Sequence, residues 1–223
     1  MNGVPTVPQG KYRGVSAADR QRERRGRLMD SALEVMASDQ WRTATVEQVC
    51  AAAGLNKRYF YESFTDLDAL ASAVVDDIAA GVGQATLAAF AEAAAEPLER
   101  QALVSVGAVV RELVRDPRRA RVLLGGVAAT PALHAHRAVV MQGMTQILVA
   151  QARVIHGVEL EADPLAQVAP AFVIGGTAEA ILAFVNGTAA VPLEVLIHEL
   201  TTLWLVTGSG AAAVARERLS RQP

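Results

Sequence analysis

The sequence predicts an all-α protein: a three-helix helix-turn-helix unit at the N-terminus, followed by a larger helical domain. Three observations predict it. The 223-residue chain is 52% hydrophobic but only 4% aromatic and is rich in alanine, so it favours helices and lacks the runs that mark sheets. Apolar residues recur at three- and four-residue spacing along most of the length. Prolines at 97, 117, 131, 164 and 192 stand where helices begin. Glu96, Asp116, Thr130 and Asp163 precede four of them, and Asp or Thr before Pro fits a cap with Pro in the first turn.

The elements follow in order. Residues 1–16, with several Gly and Pro, read as a disordered leader. A helix runs from about Ala17 to Ser38, with Leu28, Ala32, Val35 and Met36 on one face, and a polar break follows to Ala44. Thr45 opens a short helix through a capping box with Gln48, and Gly54 ends it in the left-handed conformation. A second short helix spans Asn56 to about Ser63, with Phe60 and Phe64 inward and Leu55 packed beside them. Asp66 caps the next helix. Further helices are expected near 66–94, 97–115, 117–127, 131–156, 164–187 and 192–208. Gly81 and Gly83 are expected to interrupt the first of these, and Pro170 to kink or delay the fifth. The units are therefore 17–65, 66–210 and a tail at 211–223.

The charge is uneven. Residues 1–65 carry ten Lys/Arg against seven Asp/Glu, and the remainder eleven against sixteen. Seven basic residues lie between Lys11 and Arg27. Such a run is either a solvated tail or an arm that binds phosphates by releasing counterions. The helix-turn-helix that follows favours the arm. Its second helix turns Asn56, Lys57, Arg58, Tyr59, Tyr61 and Glu62 outward. Lys and Arg suit guanine edges or phosphates, Asn suits adenine, and Tyr hydroxyls reach phosphates.

The stretch Thr45-Val46-Glu47-Gln48-Val49-Cys50-Ala51-Ala52-Ala53-Gly54-Leu55-Asn56-Lys57-Arg58-Tyr59-Phe60-Tyr61-Glu62-Ser63-Phe64, then Asp66-Leu67-Asp68-Ala69-Leu70, resembles the TetR family of repressors. The resemblance covers about residues 20–72. It implies a homodimeric regulator that binds a palindromic operator in double-stranded DNA, with an effector-binding and dimerisation domain after the fourth helix. It also implies roles. Thr45 touches a phosphate; Asn56, Lys57, Arg58 and Tyr59 enter the major groove; Tyr61 holds a phosphate; and Arg24 and Arg25 grip the backbone. Leu67 stands where the family often has a phosphate-binding Lys, and Arg58 and Tyr59 are bulkier than the small residues common there.

The larger domain carries no motif. Gly176, Ala180, Ala183 and Gly187 form a small-residue stripe, and Leu193, Leu196, Ile197, Leu200 and Trp204 an apolar one. These serve either a four-helix dimer interface or ordinary packing within the chain. Gln142, Thr145, Phe172 and Glu179 are the candidate lining of an effector pocket, whose apolar walls suit a hydrophobic small molecule.

Other chemistry finds little support. His134 and His136 point to different helix faces, no cysteine or acidic cluster accompanies them, and no metal site is expected. No nucleophile motif or phosphate loop appears, so no catalytic residue and no cofactor is expected. An all-helical enzyme and a non-specific DNA-coating protein are the competing classes. Cys50 is the single cysteine, and residues 1–30 lack an apolar signal core, so a cytoplasmic, nucleoid-associated protein is expected. The most apolar stretch, Ala166 to Val185, contains Gln167, Thr177 and Glu179 and reads as a buried or dimer-forming helix rather than a membrane span.

Overall fold

A computed structural model of the chain describes residues 16–38, 40–125, 130–156 and 163–221. The predicted leader up to residue 15, with Lys11 and Arg13, lies outside the described residues, as do 126–127 at the end of an expected helix. Among the described residues every regular element is helical.

The first unit is α1 (Ala17–Ala37), α2 (Val46–Ala53) and α3 (Lys57–Tyr61). Ser16 and Asp19 start α1 with a reciprocal capping box, and Thr45 with Gln48 starts α2 the same way. The break between them is less polar than expected. Trp41–Thr43 form one 3₁₀ turn that buries Trp41 in the core beside Met36 and Val49. A single apolar residue in a polar run has no periodicity to announce it.

α4 (Leu67–Glu92) starts at the Asp66 cap and is continuous, so Gly81 and Gly83 do not interrupt it. Neighbouring turns hold them in helix: α4 packs along α5 (Leu98–Val114) and α7 (Pro131–His156). Pro97 itself occupies the cap position of α5, and Gln101 Nε2 donates to the Glu96 carbonyl at 2.8 Å. α6 (Pro117–Leu124) and α8 (Pro164–Val185) carry Asp116 and Asp163 as caps with Pro in the first turn. Pro170 is accommodated inside α8.

α9 (Leu193–Ser220) corrects the expected end at 208 and the expected tail from 211. Its last turns bury Ala212 and Ala215 against Ala166 of α8, and that local packing carries the helix past Gly208 and Gly210. α8 lies on α9, and α9 on α5. α4 and α8 are long and apolar enough to cross a membrane by length and composition. Each instead has partners here: α4 puts Leu70, Ala71, Val74 and Ile78 into the core, and α8 contributes Ile181.

One continuous core runs from Leu28 and Phe60 through Leu70 and Val74 to Leu113, Ile181 and Ile197. The two units are therefore not independent bodies: α4 belongs to both. α6 packs on α1, and Arg118 at its start reaches Asp30 (3.1 Å) and Glu34 (3.0 Å) of α1 as well as its neighbour Asp116 (2.8 Å).

Candidate nucleic-acid interface and apolar cavity

The α2–α3 corner is built from local rules. Gly54 has φ 63° and ψ 37°, and its N–H donates to the Ala51 carbonyl at 3.0 Å. The left-handed backbone disfavours a side chain there, and a Cβ, 2.8 Å from Arg27 Nη2, would also make the arginine tip shift. The Arg27 guanidinium donates to the Ala53 carbonyl, so one arginine of the basic run fastens α1 to the turn. Phe60 and Phe64 are buried as expected, with ring centroids 5.9 Å apart.

The predicted reading residues divide into three kinds. Thr45 and Asn56 are caps: Thr45 Oγ1 accepts from Gln48 N–H, and Asn56 Oδ1 accepts from Tyr59 N–H at 3.2 Å. Neither bond uses the amide NH₂ of Asn56. Lys57 and Arg58 project outward and meet carboxylates: Lys57 pairs with Glu47 of α2, and Arg58 Nε is 3.1 Å from Glu62. The Arg58 side chain is 84% exposed. Tyr61 is exposed, with its ring edge-on to Phe60.

Tyr59 is different. It is half-buried, and the Arg24 guanidinium sits 4.4 Å above its ring. Arg25 lies 4.3 Å over the Phe64 ring in the same manner. Both arginines are half-buried, holding α1 to α3 and its following turn while their charge stays near the reading face. Arg42 was missed by the sequence reading. It is exposed in the 3₁₀ turn just ahead of Thr45, and no ion pair engages it among the described residues. Its signal was a cation three residues before a helix cap.

The larger domain holds a partly open cavity of about 320 Å³ between α4, α5, α6, α7, α8 and α9, with Leu87 and Ile147 exposed among its lining residues. Val82, Val109, Leu123, Met144, Ile181 and Trp204 are among its walls. Gln142, Thr145, Phe172 and Glu179, the expected lining, are not among them. Phe172 is 70% exposed and Glu179 exposed on the outer face of α8; Gln142 is exposed, and Thr145 donates to the Met141 carbonyl at 3.0 Å. The correction has a simple cause. Polar residues are scattered round α7 and α8 without one clear polar face, so periodicity does not say which face turns inward.

Burial separates the two stripes: Gly176 and Gly187 of the small-residue stripe are exposed, while most of the apolar one is buried. Leu196, Ile197 and Leu200 are buried within the chain, and Ala180 packs on the same core. The most exposed apolar residues here are Val168 and Phe172 of α8 and Leu203 and Val206 of α9.

Titrating groups are sparse. Arg118 holds the Asp116 carboxyl below the usual carboxylate range, chiefly through their side-chain hydrogen bond. Burial pushes the Cys50 thiol up, and it lowers the Arg137 guanidinium, which donates to the Leu123 and Leu124 carbonyls at the end of α6. Among the described residues no three His, Cys, Asp or Glu side chains cluster as a metal site. His136 Nε2 instead lies 2.8 Å from Asp76 of α4.

No protein-family model matches the chain, and no curated protein matches it. Solved structures do. The fatty acid degradation regulator FadR of Bacillus halodurans superposes with TM-score 0.68 at 18% identity, over 81% of this chain and 94% of that one. FadR of Bacillus subtilis, solved with stearoyl-CoA, gives TM-score 0.63 at 17% identity over 83% and 98%. A TetR-like regulator of Rhodococcus sp. RHA1 gives 0.61 at 16% identity over 84% and 96%. A helix-turn-helix unit running through a shared fourth helix into a helical domain, superposing on these proteins over most of their length, gives this chain the fold of the TetR-type transcriptional regulators.

Proposed function

We propose that the chain is a sequence-specific DNA-binding transcriptional regulator, acting as a homodimeric repressor that leaves a palindromic operator when a small hydrophobic effector binds. One observation carries the reading. The second helix of a helix-turn-helix presents Lys57, Arg58 and Tyr61 to solvent on a buried Phe60 anchor. Arg58 and Lys57 read base edges or phosphates in the major groove, and Tyr61, Thr45 and Arg42 hold the backbone. Arg24 and Arg25 add positive charge beside them. DNA replaces Glu47 and Glu62 as partners of Lys57 and Arg58, so binding depends steeply on salt.

A five-residue recognition helix reads few base pairs. Two copies on a two-fold site, with reading helices about 34–36 Å apart, supply the rest. The exposed Val168, Phe172, Leu203 and Val206 of α8 and α9 are the proposed contact between copies. The cavity is the proposed effector site, and the stearoyl-CoA complex of the Bacillus subtilis neighbour supports a lipid-like ligand. Two elements run from that cavity to the reading unit. α4 lines it with Val82 and Leu87 and anchors in the reading core through Leu70; α6 lines it with Leu123 and grips α1 through Arg118. An effector that prefers a dimer with misplaced reading helices lowers operator affinity by its differential affinity for the two arrangements. A cytoplasmic protein at the nucleoid follows from this role.

Selection of binding sites from random DNA at stated salt tests the proposal. The expected product is a palindrome protected as two half-sites one helical turn apart. Equal binding to all sequences overturns it in favour of a DNA-coating protein.

A further inference from the structure

The cavity walls combine hydrocarbon with one unsatisfied hydroxyl. Among the described residues, none that lines the cavity is ionisable. Its polar side chains are Thr86, Ser105, Thr177 and Trp204. Thr86 Oγ1 donates to the Val82 carbonyl at 2.7 Å, and Trp204 Nε1 donates to Thr177 Oγ1 at 2.6 Å. Ser105 Oγ is sealed from solvent and has no hydrogen-bond partner among the described residues. A buried hydroxyl left unmade is a standing cost that a ligand can remove. Ser105 has a single side-chain torsion, so a step between staggered positions re-aims the oxygen.

The cations on neighbouring turns are already engaged. Arg137, one turn before the lining residues Val140 and Met141, donates to the Leu123 and Leu124 carbonyls. Arg119 of α6 pairs with Glu112 at 3.2 Å and Asp77 at 3.6 Å. An ionised head group inside this wall finds no counter-charge and loses its water, which strongly disfavours it. The volume of about 320 Å³ is at the small end for ligand pockets, which run from about 300 to 1,000 Å³.

We infer that the cavity takes an uncharged, mainly hydrocarbon molecule with one hydrogen-bonding group, and that Ser105 Oγ meets that group. The inference rests on the regulator reading only for its consequence at the operator. Octanol and octanoate share a chain length and differ in charge, so they are the probes, titrated calorimetrically at pH 7.5 with Trp204 emission as a second readout. Octanol binds saturably, and octanoate binds at least about tenfold more weakly. Ser105→Ala weakens octanol about fivefold to tenfold, the worth of one hydrogen bond, and leaves octanoate unchanged. Octanoate binding as tightly as octanol, unchanged octanol affinity in Ser105→Ala, or no saturable octanol binding overturns the inference. Site selection with the unliganded protein keeps the two proposals apart. A palindrome selected while octanol fails sinks only the ligand class, and octanol binding without a palindrome sinks only the regulator.

Discussion

The reading unit and the cavity lie along the same helix, α4, yet they handle polar groups in opposite ways. At the α2–α3 corner the charged side chains are exposed and pair with carboxylates across solvent: Lys57 with Glu47, and Arg58 with Glu62. Such pairs are worth little, about 0–1 kcal/mol each, so a phosphate or a guanine edge displaces the carboxylate readily. In the cavity Thr86, Thr177 and Trp204 hydrogen-bond within the chain, and Ser105 Oγ is buried without a partner among the described residues. Selectivity there comes from what is excluded. On the proposed function, one end recognises by exchange of partners in water and the other by burial, and a signal between them travels through α4 and α6, the elements that touch both.

Several measurements break or sharpen that contrast. Phe60→Ala removes the anchor of the reading face, where Phe60 is wholly buried. It is expected to lower stability by about 3–5 kcal/mol in chemical denaturation. Because the core is continuous, the cavity domain unfolds in the same transition; two separate transitions would show the units to be independent. Arg58→Ala is expected to weaken operator binding by about 1–3 kcal/mol and to relax the selected sequence at one position per half-site, with stability unchanged. A uniform loss across sequences would move Arg58 to the phosphate backbone.

Arg118→Ala cuts the contact between α6 and α1 while leaving cavity and reading face intact. The clamp is partly exposed, so stability falls by only about 1 kcal/mol, but the effector-induced drop in operator affinity shrinks. An unchanged drop leaves α4 as the sole lever. Tyr61→Phe is expected to weaken binding to all sequences alike by about 0.5–1.5 kcal/mol, read by titration of operator and random DNA. The smallest effect is in acid. The folded Asp116 carboxyl has a depressed pKa, so its contribution is complete above the unfolded value of about 3.9 and is lost as pH falls through the folded one. Asp116→Asn should therefore narrow its stability gap to the parent protein only below about pH 4 in thermal melts.

Much of the reading unit was legible in the chain. The capping boxes, the left-handed Gly54 and the inward Phe60 and Phe64 each depend on residues within a few positions of one another. The second duties of its side chains were not. Arg24 on Tyr59 and Arg27 on Ala53 link residues far apart in sequence, and buried Trp41 sat in a stretch that read as a polar break. The pocket was legible only as an apolar character. Phe172 and Glu179 face outward, and Ser105, Val109 and Trp204 line the cavity instead.

By itself the sequence determined the helical class, most helix starts and the tight turn, because these rest on backbone hydrogen bonds and dihedral preferences closed within one or two turns. Only the tertiary structure decided which faces of α7, α8 and α9 turn inward, how far α9 extends, and that Ser105 is left without a partner. In helices whose polar residues mark no single face, the inward face is chosen by contacts between residues distant in the chain, and no local periodicity encodes that choice.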